Sequence, residues 1–206
     1  MTAADARAMR EDGPRAQDVA RANLYALIGR LFYDAPDEFL LSAITQDVDD
    51  NLDSQGPLGA AWDELRSACR AAVPAELKEE FDNLFVGVGK SEITTYTSHY
   101  VERGGSGQHL IRLRELLGAW QLSRRDAASE TEDHVSGISD VMRHLISADD
   151  KLEEQQLFFN EFVYPGLIPF CGALERSPNA RFYRCVAQFV RSFLTVEKAA
   201  FELQEG

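Results

Sequence analysis

Ser129-Glu130-Thr131-Glu132-Asp133-His134, followed by Val135, Ile138, Val141, Met142, Leu145 and Ile146, decides how this chain is to be read. The apolar positions recur every three or four residues, which is the period of a helix with one buried stripe. The polar residues ahead of them read as its start, with Ser129 and Glu132 spaced as a capping box. At about 100° per residue, His134 falls on the stripe of Ile138, Val141 and Leu145, while Asp133 and Glu132 fan away from it. Three polar side chains at the mouth of a core need partners, because burying them unpaired is costly.

The same period extends in both directions. Upstream, Ala20, Leu24, Leu27, Ile28, Leu31 and Phe32 form a helix that stops before Pro36, and Glu38 to Gln46 forms a short one. The acidic stretch Asp47 to Gly56 reads as a loop. Leu58, Trp62, Leu65 and Cys69 give a third helix closed by Pro74, and Leu77, Phe81, Leu84 and Phe85 give a fourth. Val86 to Gly107 has five glycines and no helical period. Ser106 is placed to cap the next helix, which carries Leu110, Leu113, Leu116, Leu117 and Trp120. Downstream, Leu152 to Tyr164 is helical, Tyr164-Pro165-Gly166 reads as a break after which Pro165 or Pro169 can start a further helix, and Pro178 opens a long final helix through Phe182, Val186, Phe189, Val190, Phe193 and Val196. No segment alternates with period two and no internal repeat is present. The reading is all-α: a short N-terminal tail over 1–17 and one compact domain of about eight to ten helices over 18–206.

Composition narrows the function classes. Of 206 residues 45% are hydrophobic, enough for a sizeable core. No apolar run reaches the length of a membrane span, and the first residues lack signal-peptide character. Cys69, Cys171 and Cys185 form neither a CxxC pair nor a disulfide framework, as expected of thiols in a reducing cytoplasm. The net charge of −13 disfavours nucleic acid and favours a cationic partner.

Several local patterns bear on chemistry. Gly87-Val88-Gly89-Lys90-Ser91 imitates the end of a phosphate-binding loop, but Leu84 stands where that loop needs its first glycine. Asp140 and His144 are spaced for a metal, yet that spacing is more often a surface ion pair; no metal site is expected. Thr94-Thr95-Tyr96-Thr97-Ser98-His99-Tyr100 combines tyrosines with hydroxyls, which suits peptide recognition as well as simple anchoring. An enzyme reading would use His134 with Glu130, Asp133 or His99 as a small hydrolase, with or without a metal. A third reading is an inert assembly subunit.

The order of these parts is telling: an early helix with Tyr25 to Phe32, then Glu80-Phe81-Asp82-Asn83-Leu84-Phe85, a Tyr96-x-Ser98-x-Tyr100 loop, Glu132-Asp133-His134, and Phe182-Tyr183 opening a Phe-rich last helix. From Asp18 onward the chain resembles the TorD/DmsD family of cytoplasmic chaperones, related to the NarJ type. It departs from the family at Thr95, where proline commonly precedes the first tyrosine of the loop. The resemblance implies a chaperone that binds the twin-arginine signal peptide of a molybdenum enzyme of the DMSO-reductase type. It would delay export until the molybdopterin cofactor is inserted. On that reading Glu132 and Asp133 receive the paired arginines, His134 stands at the cleft wall, and Tyr96, Ser98 and Tyr100 form the opposite wall. Phe81 and Phe85 receive the apolar part of the signal. No resident cofactor is implied. Direct contact with the molybdenum cofactor or a guanine nucleotide stays open, as does monomer against domain-swapped dimer.

Overall fold

The computed structural model describes residues 3–46, 56–87, 90–102, 107–123, 130–148 and 152–204, with side chains of the first helix described from Ala16. Ten α-helices occur in order: α1 Ala3–Tyr33, α2 Glu38–Thr45, α3 Pro57–Ala71, α4 Pro74–Phe81, α5 Ser98–Val101, α6 Gln108–Ala119, α7 Val135–Ser147, α8 Leu152–Phe158, α9 Tyr164–Arg176 and α10 Phe182–Gln204. Helix α1 begins within the segment read as a tail. The loop read at Asp47 to Gly56 lies, up to Gln55, outside the described residues. Proline sets several starts: Pro57 and Pro74 open α3 and α4, where a missing N–H costs no hydrogen bond.

Two π-helical turns, Asp82–Val86 and Phe159–Val163, extend α4 and link α8 to α9. The second overturns the expected break at Tyr164-Pro165-Gly166. Pro165 cannot donate to the Glu161 carbonyl, and its ring would crowd a tight turn. The wider turn avoids this: the Tyr164 amide reaches back five residues to the Phe159 carbonyl, and the helix runs on. Leu152–Arg176 is thereby long and apolar enough by length and composition to cross a membrane, contrary to the reading of runs in the sequence. More than half of its most apolar window is buried inside the domain.

One core joins the elements. Helix α7 packs along α1, and α10 packs between α3 and α9. Phe32, Phe81, Phe85, Phe170 and Tyr183 form an edge-to-face aromatic cluster where α1, α4, α9 and α10 meet. Helix α10 starts at Phe182, four residues after Pro178. Its opening amides donate to the Glu80 carboxylate of α4, which accepts from Arg181, Phe182 and Tyr183 N–H groups. An anion at a helix N-terminus is favoured by the aligned peptide dipoles.

A second polar tie is buried. Glu197 on α10 is 3% exposed. Its carboxylate accepts two bonds from the Arg21 guanidinium, at 2.7 and 3.0 Å, and one from the Tyr25 hydroxyl at 3.2 Å. Arg21 also donates to Asp18 and Gln155, and Gln155 donates to the Leu145 carbonyl. Helices α1, α7, α8 and α10 are thus linked through one ion pair. Replacing Glu197 by alanine strands the guanidinium, and urea unfolding is expected to show a loss of about 3 kcal/mol, typical of a broken buried pair. A change below about 0.5 kcal/mol, the range of an ordinary surface site, would show that the tie carries no weight.

Candidate functional site

The segment 93–102 leaves the core and returns to it. Ile93 is buried and its amide donates to the Leu84 carbonyl at 2.8 Å. Residues 95–97 then run beside 133–135, with Thr97 already turning into α5. Thr97 N–H donates to the Asp133 carbonyl at 2.8 Å and Val135 N–H to the Thr95 carbonyl at 2.9 Å, so Tyr96 and His134 form an isolated antiparallel bridge. Thr97 is fully buried and adds its hydroxyl to the same Asp133 carbonyl at 3.0 Å. It lies against α9 at Gly166: a Cβ there would stand 2.6 Å from the Thr97 Cβ, so only glycine admits this approach.

Asp133 is the hub. It is 2% exposed. One carboxylate oxygen accepts from the Ser98 hydroxyl, the other from the Thr131 hydroxyl at 2.5 Å. Helix α7 begins later than its sequence signals indicate, at Val135, with His134 as N-cap. Ser129, the expected cap, lies outside the described residues. The wheel that fanned Glu132, Asp133 and His134 apart therefore does not apply, because all three precede the helix.

His134 is buried with its ring edge-on to Tyr96, centroids 5.5 Å apart. Its Nδ1 accepts the Ser136 N–H at 3.2 Å and lies 2.7 Å from the Ser136 hydroxyl. The neutral ring thus caps the helix through Nδ1, which leaves the proton on Nε2. Burial lowers its pKa, against the opposing pull of Glu130 and Asp133. Glu130 accepts the Tyr96 hydroxyl instead, and that bond raises the phenol pKa to about 12. Glu132 pairs with Arg114 on α6.

Around this hub opens a cleft of about 570 Å³, lined by Thr94, Tyr96, Ser98, His99, Glu102, Gly107, Leu110, Thr131 and Asp133. Of the residues singled out in the sequence, Tyr96, Ser98 and Asp133 meet there. Tyr100 buttresses the loop from below, its hydroxyl on the Thr94 carbonyl at 2.8 Å and its ring on Phe170. His134 stands behind Tyr96, and Glu132 turns to Arg114. Phe81 and Phe85 do not line the cleft; Phe81 at the end of α4 and Phe85 in the π turn both pack into the aromatic core cluster.

Sequence reading missed Glu102. Its carboxylate accepts the N–H groups of Gly107 and His109 at the start of α6, a role assigned to Ser106, which lies outside the described residues. Neighbours five and seven residues on give no capping-box spacing, so no local signal marks it. Among the described residues no group of three His, Cys, Asp or Glu side chains gathers as a metal site. Asp140 pairs with Arg143.

The described residues thus form a helical domain with an open cleft that carries two held carboxylates, Asp133 and Glu102. Sequence comparison names its kind. The profile of the nitrate reductase delta subunit family matches residues 51–172, more than half of the chain, and the chain belongs to this family, to which the TorD/DmsD and NarJ-related chaperones are assigned. The chaperone protein TorD of Pasteurella multocida is 29% identical over 112 residues, covering 54% of this chain and 57% of that one. TorD of Vibrio cholerae is 26% identical over 134 residues, covering 60% and 61%. The chain spans about three-fifths of the length of these curated relatives. A redox enzyme maturation protein from Archaeoglobus fulgidus shares the fold, with a TM-score of 0.52 at 20% identity over 85% of this chain and 93% of that one. The curated relatives are named as chaperones, and the hydrolase reading finds no counterpart among them.

The Thr97–Gly166 contact makes a sharp prediction. Gly166→Ala should drive Thr97 outward and cost about 1–3 kcal/mol, as overpacking does. The Tyr96 and His134 resonances should move with it. Unchanged stability and unchanged resonances would contradict the packing described.

Proposed function

We propose that this chain is a cytoplasmic maturation chaperone that binds the twin-arginine signal peptide of a DMSO-reductase-type molybdoenzyme precursor in the cleft around Asp133. The observation that carries this is a pair of cleft-lining carboxylates whose orientation is fixed, Asp133 by the Ser98 and Thr131 hydroxyls and Glu102 by the Gly107 and His109 N–H groups. A carboxylate has about four lone-pair positions, so one that accepts two hydrogen bonds keeps capacity for a guanidinium. Arginine is planar, always charged and able to bond two acceptors at once, which matches fixed carboxylates better than a lysine does. Tyr96, 36% exposed, offers a ring face to the same side chain, and Leu110 offers apolar area. The net charge of −13 would speed encounter with a cationic segment.

In this account the protein carries no resident cofactor and acts by holding the apoenzyme back from export until the client's own molybdopterin cofactor is inserted. The domain from Asp18 onward performs the binding. Tyr96, Ser98 and Asp133 are the contact residues, joined by Glu102 and Thr131. Tyr100 and His134 support them, and Phe81 and Phe85 hold the scaffold. The apolar part of the signal would lie along the mouth, beyond these two rings.

Calorimetry with a short peptide carrying two adjacent arginines tests the proposal. Asp133→Asn keeps the shape and removes the charge. It should weaken binding at least tenfold, consistent with a charge-assisted bond of about 1.5–3 kcal/mol. Raising the salt should weaken the parent as well. Equal affinity for Asp133→Asn and parent would remove the cleft from consideration.

A further inference from the structure

Behind the cleft lies a histidine with no role in the account so far. His109, in the first turn of α6, is 7% exposed, and its ring packs on Phe162 with centroids 5.0 Å apart. Its Nε2 is buried and has no hydrogen-bond partner. Its backbone N–H is held by Glu102, a cleft carboxylate. The charges that act on the ring come from every side: Glu102 from the segment after α5, Asp133 from the hub, Glu161 from the π turn, and Arg112 from its own helix. Arg112 and Glu161 pair with each other at 2.6 Å.

An orphaned imidazole nitrogen packed on Phe162, with three carboxylates acting on the ring, is unusual in a fold that satisfies the buried His134 with care. We infer that His109 is a proton-operated release device for the cleft: neutral, it leaves Glu102 and Asp133 to a cationic ligand, and protonated, it competes with that ligand for both carboxylates. This deepens the peptide-binding reading and rests on it for the identity of the ligand. Burial lowers the His109 pKa, the carboxylates oppose that shift and Arg112 adds to it, so the neutral ring prevails at and above the usual imidazole range. Acidification below that range creates a cation where the structure has an unpaired nitrogen. Linkage makes the effect reciprocal: a bound guanidinium must push the His109 proton affinity down as much as the proton weakens the guanidinium.

The test combines peptide affinity with ring titration, using the full chain. The probe is the two-arginine peptide, and the variants are His109→Phe, which keeps the stacking on Phe162, and His109→Gln, which keeps polarity. On acidification from about pH 6.5, the unperturbed imidazole value, to about pH 5, parent affinity should fall about tenfold, an ordinary size for coupling between two sites. Both variants should lose that step. Equal pH dependence in parent and variants overturns the inference. Ring resonances, resolved separately for His109 and His134, supply a readout without ligand. In the free protein the Ser98 and Asp133 amides should follow the His109 titration. If no peptide binds at any pH, the peptide reading fails, and the inference stands or falls on this coupling alone. A His109 ring that titrates without moving those amides overturns it.

Discussion

Everything at the site depends on one buried carboxylate. Asp133 takes the Ser98 hydroxyl on one oxygen and the Thr131 hydroxyl on the other, while its backbone carbonyl takes both donors of Thr97. A residue buried this deeply is stable only when its charge is met by hydrogen bonds. Those bonds come from two stretches of chain, Thr97 and Ser98 in one and Thr131 in the other, so satisfying Asp133 forces the 93–102 segment against the start of α7. The cleft is the space left beside that join. Gly166 permits the join, because only a residue without Cβ lets Thr97 lie against α9.

The scaffold was legible because it rests on periodicity. The apolar stripes of α1, α3, α6, α7 and α10 could be read directly, and Pro74, read as closing the third helix, also opens the fourth. The misreadings share a physical cause, since each depended on partners distant in sequence. Ser129 and Glu132 satisfy the local rule for a cap, yet the hydrogen bonds that start α7 come from His134, held in place by Tyr96. Pro165 should end a helix, but a π turn absorbs it. Phe81 and Phe85 looked available to a ligand. Both pack into the ring cluster of Phe170 and Tyr183, Phe81 from the end of α4 and Phe85 from the other π turn. The cleft was half legible: Tyr96, Ser98 and Asp133 were singled out on a family motif, whereas Glu102, Thr131 and His109 carry no pattern and appear only once the chain is folded.

The division of labour among the acidic residues follows from burial. Glu80 and Glu197 are committed to the scaffold, one at the start of α10 and one opposite Arg21. Glu132 is taken by Arg114. Asp133 and Glu102 combine an anchoring role with a place on the cleft wall. A carboxylate oriented before its ligand arrives loses less entropy on binding than a free surface acid does. This is the physical reason to look for a cationic partner here and not elsewhere on an acidic surface.

Backbone amide exchange with and without a two-arginine peptide tests this most directly. The account predicts new protection at Thr94 to Glu102 and at Thr131 to Asp133, with the Phe81 and Phe85 amides unchanged. Protection confined to another face, with Thr94 to Glu102 exchanging as before, would contradict it.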